Sequence, residues 1–291
     1  MLRILASLFS LFLTVAGFVA EISGDTRAAE LLAQARAALG GERTLTQVQG
    51  LSAAGTFTRA LPDRQINGDL TLDIQLPDKM LRTESVSPFG DATIVTLQGI
   101  NGEQVLRNAR TIGGGPNMIV RMAPPPSGSD AEAQALRNGR AELARLSIAW
   151  LLAALPSMPA EFTYGGEAEA EDGKADVIDV KGPGSFAARL FLDKTAHRPL
   201  MLAYKGVAPT MVIRRQEGGP PPDPEAIKRS QPGEPGPLVD ITMFFDDYKQ
   251  VDGVWLPHHV SRSVDGKPSE EWTFKTIKVN PAFKADAFSA K

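Results

Sequence analysis

The sequence predicts a mainly β fold with helices, an open antiparallel half-barrel wrapped around one central helix. Three observations lead there. The stretch Ser129 to Leu155, SDAEAQALRNGRAELARLSIAWLLAAL, is the one long helical signal, with Leu136, Leu143, Leu146, Trp150 and Ala154 at helical spacing. From Ile148 to Leu155 this stretch is apolar on every side, so that end has to be buried inside something. The segments before and after it alternate apolar and polar residues over short runs bounded by turn residues, the pattern of antiparallel strands.

At the start of the chain, Arg3 is followed by an uncharged run from Ile4 to Ala20. A short basic segment and an apolar core of this length describe a signal peptide over residues 1–20, with small residues for cleavage at Ala16 or Ala20. The expectation is a soluble periplasmic protein; an uncleaved inner-membrane anchor is the lesser alternative, since a span usually needs ~20 apolar residues. Residues 21–291 then form a single domain. Asp25 is placed to cap a first helix whose narrow stripe of Leu31, Leu32, Ala35, Ala38 and Leu39 suits packing on a surface, and Gly40-Gly41 end it.

Strand signals follow at Gly50–Thr58, Asn67–Leu76, Lys79–Val86, Thr93–Gln98 and Glu103–Leu106, with turns at Pro77-Asp78 and Asn101-Gly102. A loop from Gly113 to Pro126, with Met118, Ile119 and Val120 packing locally, leads into the central helix. There a Ser129-x-x-Glu132 capping box is expected, and Pro156 and Pro159 stop the helix. Strands resume at Glu161–Ala170, Lys174–Lys181, Phe186–Asp193, Leu200–Lys205 and Met211–Arg215. Gly218 to Pro237 holds seven prolines and four glycines, which rules out a sheet strand and reads as a loop inside the second half. Leu238–Tyr248, Trp255–Val264 and Glu270–Lys278 are the last strands, turned by Gly253 and Asp265-Gly266, and the tail from Asn280 lies across the sheet.

Composition narrows the function classes. The net charge of -3 over 291 residues gives no basis for a nucleic-acid partner. With no cysteine, disulfides, thiolate metal sites, a catalytic thiol and an acylated lipoprotein cysteine are all excluded. His258 and His259 are strand neighbours facing opposite ways, so they do not chelate one metal, and His197 sits in a turn. No serine lies in a G-x-S-x-G elbow, and Gly113-Gly114-Gly115-Pro116 lacks the lysine of a phosphate loop. Asp246-Asp247 and Glu270-Glu271 read as solvated edge charges, and Arg137, Arg140 and Arg145 as the wet face of the central helix, the lesser alternative being that these arginines meet lipid phosphates at a cavity mouth. The expectation is no enzyme, no cofactor and no metal.

Several short motifs carry a resemblance. Gly68-Asp69-Leu70, the turn Pro77-Asp78-Lys79, Arg82-x-Glu84 and Ile100-Asn101-Gly102-Glu103 come first. Phe191-Leu192-Asp193, Asp247-Tyr248, Asp252-Gly253-Val254-Trp255-Leu256-Pro257 and the ending from Val279-Asn280-Pro281 to Phe288 follow. Together they resemble the bacterial periplasmic lipoprotein-carrier superfamily, the family of the outer-membrane lipoprotein-sorting chaperone, over most of the chain after the signal peptide. The resemblance implies an incomplete barrel around a helix, enclosing an apolar cavity for acyl chains. One position departs from it: Leu76 precedes Pro77, where the sorting chaperone has a basic residue that holds its lid, so the implication extends to the cavity and not to that latch.

Acyl binding needs no catalytic group, since burying methylenes is worth ~0.8 kcal/mol each. The strand positions expected to line such a cavity are Phe57, Leu70, Leu72, Ile74, Val95, Leu97, Leu190, Leu192, Phe244 and Trp272. Ile148, Trp150 and Leu151 would line it from the helix. The expected partner is a lipid or the acyl chain of a lipoprotein, held by a monomer. The competing reading is an envelope protein-interaction module without a lipid ligand, docking through the Pro-rich loop.

Overall fold

The structure is a computed structural model, and it describes residues 24–61, 64–87, 92–113, 128–170, 173–207 and 237–290. The signal segment, the loop before the central helix, the strand expected at Met211–Arg215 and the Pro-rich stretch all lie outside, or almost wholly outside, these residues.

Two helices open the described chain, α1 (Gly24–Leu39) and α2 (Glu42–Thr46). Five strands follow: β1 (Gly50–Ala60), β2 (Gln65–Gln75), β3 (Lys79–Val86), β4 (Ala92–Asn101) and β5 (Gln104–Gly113). Helix α3 (Ser129–Leu151) leads to seven more: β6 (Glu161–Ala170), β7 (Gly173–Lys181), β8 (Ala187–Asp193), β9 (Pro199–Val207), β10 (Leu238–Val251), β11 (Val254–Val264) and β12 (Lys267–Val279).

All twelve strands form one antiparallel sheet in the order β5-β4-β3-β2-β1-β12-β11-β10-β9-β8-β7-β6. The first and last strands, β1 and β12, meet in its middle, and the sheet does not close into a barrel. Its two edges, β5 and β6, are consecutive in the chain, and the segment that joins them is the one carrying α3. The helix touches β3, β4 and β5 on one side and β9 on the other, so it spans the opening.

Local chemistry sets the register. Asp252-Gly253 and Asp265-Gly266 have positive φ at both residues (49° and 87°; 48° and 74°), the pair of left-handed conformations that a tight hairpin between twisted strands requires. Sheet curvature needs close backbone approach at Gly55, where the β1–β12 register shifts: a Cβ there would stand 1.9 Å from the Thr273 carbonyl oxygen.

The helices differ from expectation in four ways. Gly128, and not Ser129, is the N-cap of α3, and its carbonyl accepts from the Glu132 N–H. The helix ends at Leu151 and not at Leu155, because Leu152 turns left-handed (φ 53°). The freed carbonyls are taken up at once: Arg36 donates to Leu152 O at 3.0 Å and Ser147 Oγ to Ala153 O at 2.8 Å. Helix α1 is more than a surface helix, since Leu31, Leu32, Ala35 and Leu39 join the main core. Three residues past its end, the five-residue α2 forms without a strong sequence signal, being a single turn that buries only Leu45.

Candidate functional site

Strand alternation sorts the sheet into two faces. The inner face is the one that α3 covers. Leu51, Ala53, Phe57, Leu70, Leu72, Ile74, Leu190, Leu192, Trp272 and Phe274 share one continuous cluster with Leu143, Leu146, Ile148, Trp150, Leu151 and Leu152 of the helix. Ten of the thirteen expected lining positions plus Val95 and Leu97 are buried, but those two belong elsewhere. Val95 and Leu97 lie in a separate cluster with Leu81, Leu106 and Phe288, on the outer face under the C-terminal tail. The registers require it: Ser85 pairs with Val95 and Thr83 with Leu97, while Glu84 and Arg82 take the inner positions. Phe244 is also on the outer side and 45% exposed, because Ile241, Met243 and Phe245 occupy the inward positions of β10. Phe244 therefore does not line the enclosed face.

The space under α3 is filled. Trp150 is 1% exposed and meets Phe274 edge-on at 5.7 Å, and Phe274 meets Trp272 at 6.2 Å. Close approach of helix to sheet depends on Gly139, where a Cβ would stand 2.4 Å from Ile100 Cγ2. The larger of the two best-formed concavities among the described residues, about 680 Å³, is an open polar groove bordered by Thr56, Thr58, Gln65, Asn67 and Asp69. The other, about 100 Å³, lies beside Gln49 and Asn280. Neither lies beneath the helix, whose own apolar side chains are buried with those of the sheet.

One end of the inner face is different. Within four residues of the ends where β1, β3 and β11 leave the sheet and β12 enters it, Arg59, Glu84, Arg262 and Glu270 point inward together with Arg82. Arg59 Nη2 reaches Glu84 Oε1 at 2.7 Å and Glu270 Oε1 at 2.5 Å. Arg82 Nη2 reaches the same Glu270 oxygen at 2.6 Å, and its Nε lies 2.7 Å from Glu84 Oε1. The guanidiniums also stack, Arg82 over Trp272 at 4.8 Å and Arg59 over Phe57 at 4.9 Å. Glu270, expected as a solvated edge charge, is 7% exposed. Burial alone would raise its pKa, but Arg82 and Arg59 outweigh burial and hold the carboxyl below the usual glutamate range.

The belt continues toward the helix. Arg262 Nη2 donates to the Tyr204 hydroxyl at 2.6 Å, and Arg145 of α3 lies over the Tyr204 ring at 3.9 Å. Arg145, expected on the wet face, is therefore packed against the sheet, whereas Arg140 pairs with the exposed Glu103. Burial, with Glu142 adding to it, pushes the Tyr204 phenol up to about 12. Sequence reasoning missed this belt because its charges are spread over β1, β3, β11, β12 and α3. The available signal was parity: Arg82 and Glu84 share a face opposite Leu72 and Leu70.

The histidines divide as their spacing implies. His258 is buried with Nδ1 3.1 Å from Leu256 O, and His259 faces Asp246 at 3.0 Å. Among the described residues no group of three or more His, Asp or Glu side chains is placed to hold a metal ion. No helix there is long and apolar enough to cross a membrane.

No family model matches the sequence, and no curated protein matches it. Solved structures with similar architecture do exist. One is a LolA superfamily protein from Nitrosomonas europaea, 10% identical, with 90% of this chain and 97% of that one covered and a TM-score of 0.48. Another is a DUF1329 family protein from Desulfovibrio piger, 10% identical, covering 92% and 98% at a TM-score of 0.46. A third is a putative outer membrane lipoprotein-sorting protein domain from Vibrio parahaemolyticus, 12% identical, covering 90% and 96% at a TM-score of 0.46. With TM-scores below 0.5, none of these likenesses bears on chemistry, and function has to come from the residues themselves.

Proposed function

We propose that this chain is a periplasmic, non-enzymatic carrier or binding protein for a lipid or for the acyl chains of a lipoprotein. The observation that supports this reading is the relation of α3 to the sheet. An open sheet holds an apolar helix end in the space where a barrel would have a lumen, and the contacts of that end are almost all apolar. Such contacts have no direction, so another apolar object of similar width satisfies the same wall. The side chains that would meet an acyl chain are Phe57, Leu70, Leu72, Ile74, Leu190, Leu192 and Trp272 from the sheet, with Ile148, Trp150 and Leu151 from the displaced helix.

The test is titration of the protein with a fluorescent C16 fatty-acid probe, with an α3-to-sheet crosslink as control. Cysteines at Gly139 and Ile100 join neighbouring backbones in a chain that otherwise has none. Saturable uptake by the reduced form, lost on oxidation and regained on reduction, is the expected result. No uptake by the reduced protein or its parent would overturn the reading in favour of a module that binds a protein partner.

A further inference from the structure

The inner face carries buried N–H donors with nothing to donate to, and they gather around the belt. Trp272 Nε1 and Trp150 Nε1 have no hydrogen-bond acceptor, although the residues are 2% and 1% exposed. Their rings flank Phe274 from two sides. Arg262 Nε and Arg145 Nε are likewise buried and unsatisfied, on either side of Tyr204. A buried polar group without a partner is costly, so a cluster of such groups on one wall favours a ligand that supplies the matching partners. These four orphans are all donors, and the one unpartnered buried acceptor among the described residues, Asp176 Oδ1, lies apart on β7 with Lys194 Nζ 3.9 Å away. The charges lean the same way: among the described residues, the four guanidiniums of Arg59, Arg82, Arg145 and Arg262 meet three carboxylates, those of Glu84, Glu142 and Glu270. Both carboxylates in the centre of the belt, Glu84 and Glu270, are already shared between Arg59 and Arg82.

We infer that this belt is a head-group site for a phosphate-bearing amphiphile, whose acyl chain lies on the apolar floor below. The inference rests on the carrier reading and narrows it. Position supports it as well as chemistry: the donors sit near the strand ends and the apolar residues deeper along the same strands, so the inner face is graded from charged to apolar like an amphiphile. A neutral glyceride would leave the orphan donors and the excess positive charge uncompensated, whereas phosphate oxygens accept from guanidinium and indole N–H groups together.

The test compares two probes with one palmitoyl chain each, palmitoyl lysophosphatidic acid and monopalmitoylglycerol, by calorimetric titration into the full mature chain, with inorganic phosphate as a third titrant. The phosphate-bearing lipid is expected to bind about tenfold more tightly than the neutral one, the gain from a charge-assisted hydrogen bond. Trp272→Phe, which keeps an aromatic ring but removes the indole N–H, is expected to narrow that ratio. The wild-type ratio decides the matter even where the variant folds poorly. Equal affinity for the two lipids overturns the head-group site and spares the carrier reading. Inorganic phosphate binding as tightly as the phospholipid assigns the belt to a free anion and overturns it too. Binding of neither lipid overturns both.

Discussion

The molecule covers apolar sheet surface in two places, and it does so by different means. On the outer face, Leu81, Val95, Leu97 and Leu106 are covered by Phe288 and its neighbours in the C-terminal tail. That cover is pinned by directional bonds, Asn101 Nδ2 to Phe288 O at 3.1 Å and Asn108 Nδ2 to Ala290 O at 2.6 Å. On the inner face the buried end of α3 has almost no such pins. Its polar ties lie at its exit, through Arg36 and Ser147, and along its outer side, through Arg140. A cover with directional bonds specifies one occupant; a cover held mainly by shape, with polar ties only around it such as Arg145 over Tyr204, is more readily exchanged. The outer patch is therefore the more firmly specified of the two, and under the proposed function the inner one is the working surface.

The largest test of that contrast is Trp150→Ala. Removing a buried indole costs about 3–5 kcal/mol of stability where the wall does not collapse. Urea unfolding reads it, and a loss below ~1 kcal/mol would mean that α3 is not packed on Phe274. Addition of a C16 fatty acid is expected to recover part of the loss in this variant, because ligand fills the space.

Glu270→Gln comes next, with an expected cost of about 3 kcal/mol, since it strands Arg59 and Arg82 around the one remaining carboxylate of Glu84. Its effect depends on pH. Glu270 titrates lower in the folded than in the unfolded state, so its contribution is full above the ordinary glutamate pKa and disappears as pH falls through the folded value. Stability measured from pH 7 downward should converge for wild type and variant in acid. Parallel curves would remove the belt from the account.

On the outer face, Phe288→Ala should cost about 2 kcal/mol, below the usual core range because a chain end can resettle. Acyl uptake should stay unchanged. A loss of uptake would erase the distinction between the two covers. The smallest effect belongs to Phe244→Ser, within ~0.5 kcal/mol, as expected for an exposed side chain with no structural role.

Much of this arrangement was legible in the sequence, and the failures have identifiable causes. In β2, Leu70, Leu72 and Ile74 alternate with polar residues and so announce their face. In β4 both faces are covered, the inner by Ile100 beneath α3 and the outer by the tail, so Val95 and Leu97 could not be sorted by hydrophobicity. In β10, Phe244 and Phe245 are adjacent, and only the rhythm of Ile241, Met243 and Phe245 separates them. The charged belt was illegible because its members come from β1, β3, β11 and β12 and from α3, and meet only through the closing pair β1–β12. The same distance in sequence makes Arg145 look like a solvent-facing helix charge.

The central claim is that the inner face accepts an amphiphile in place of α3. The most direct measurement is native mass spectrometry of the protein isolated from the cells that make it, before and after organic extraction. The account predicts a bound lipid mass that extraction removes and re-addition restores. A single protein mass, identical before and after extraction and unaltered by added lipid, would contradict it.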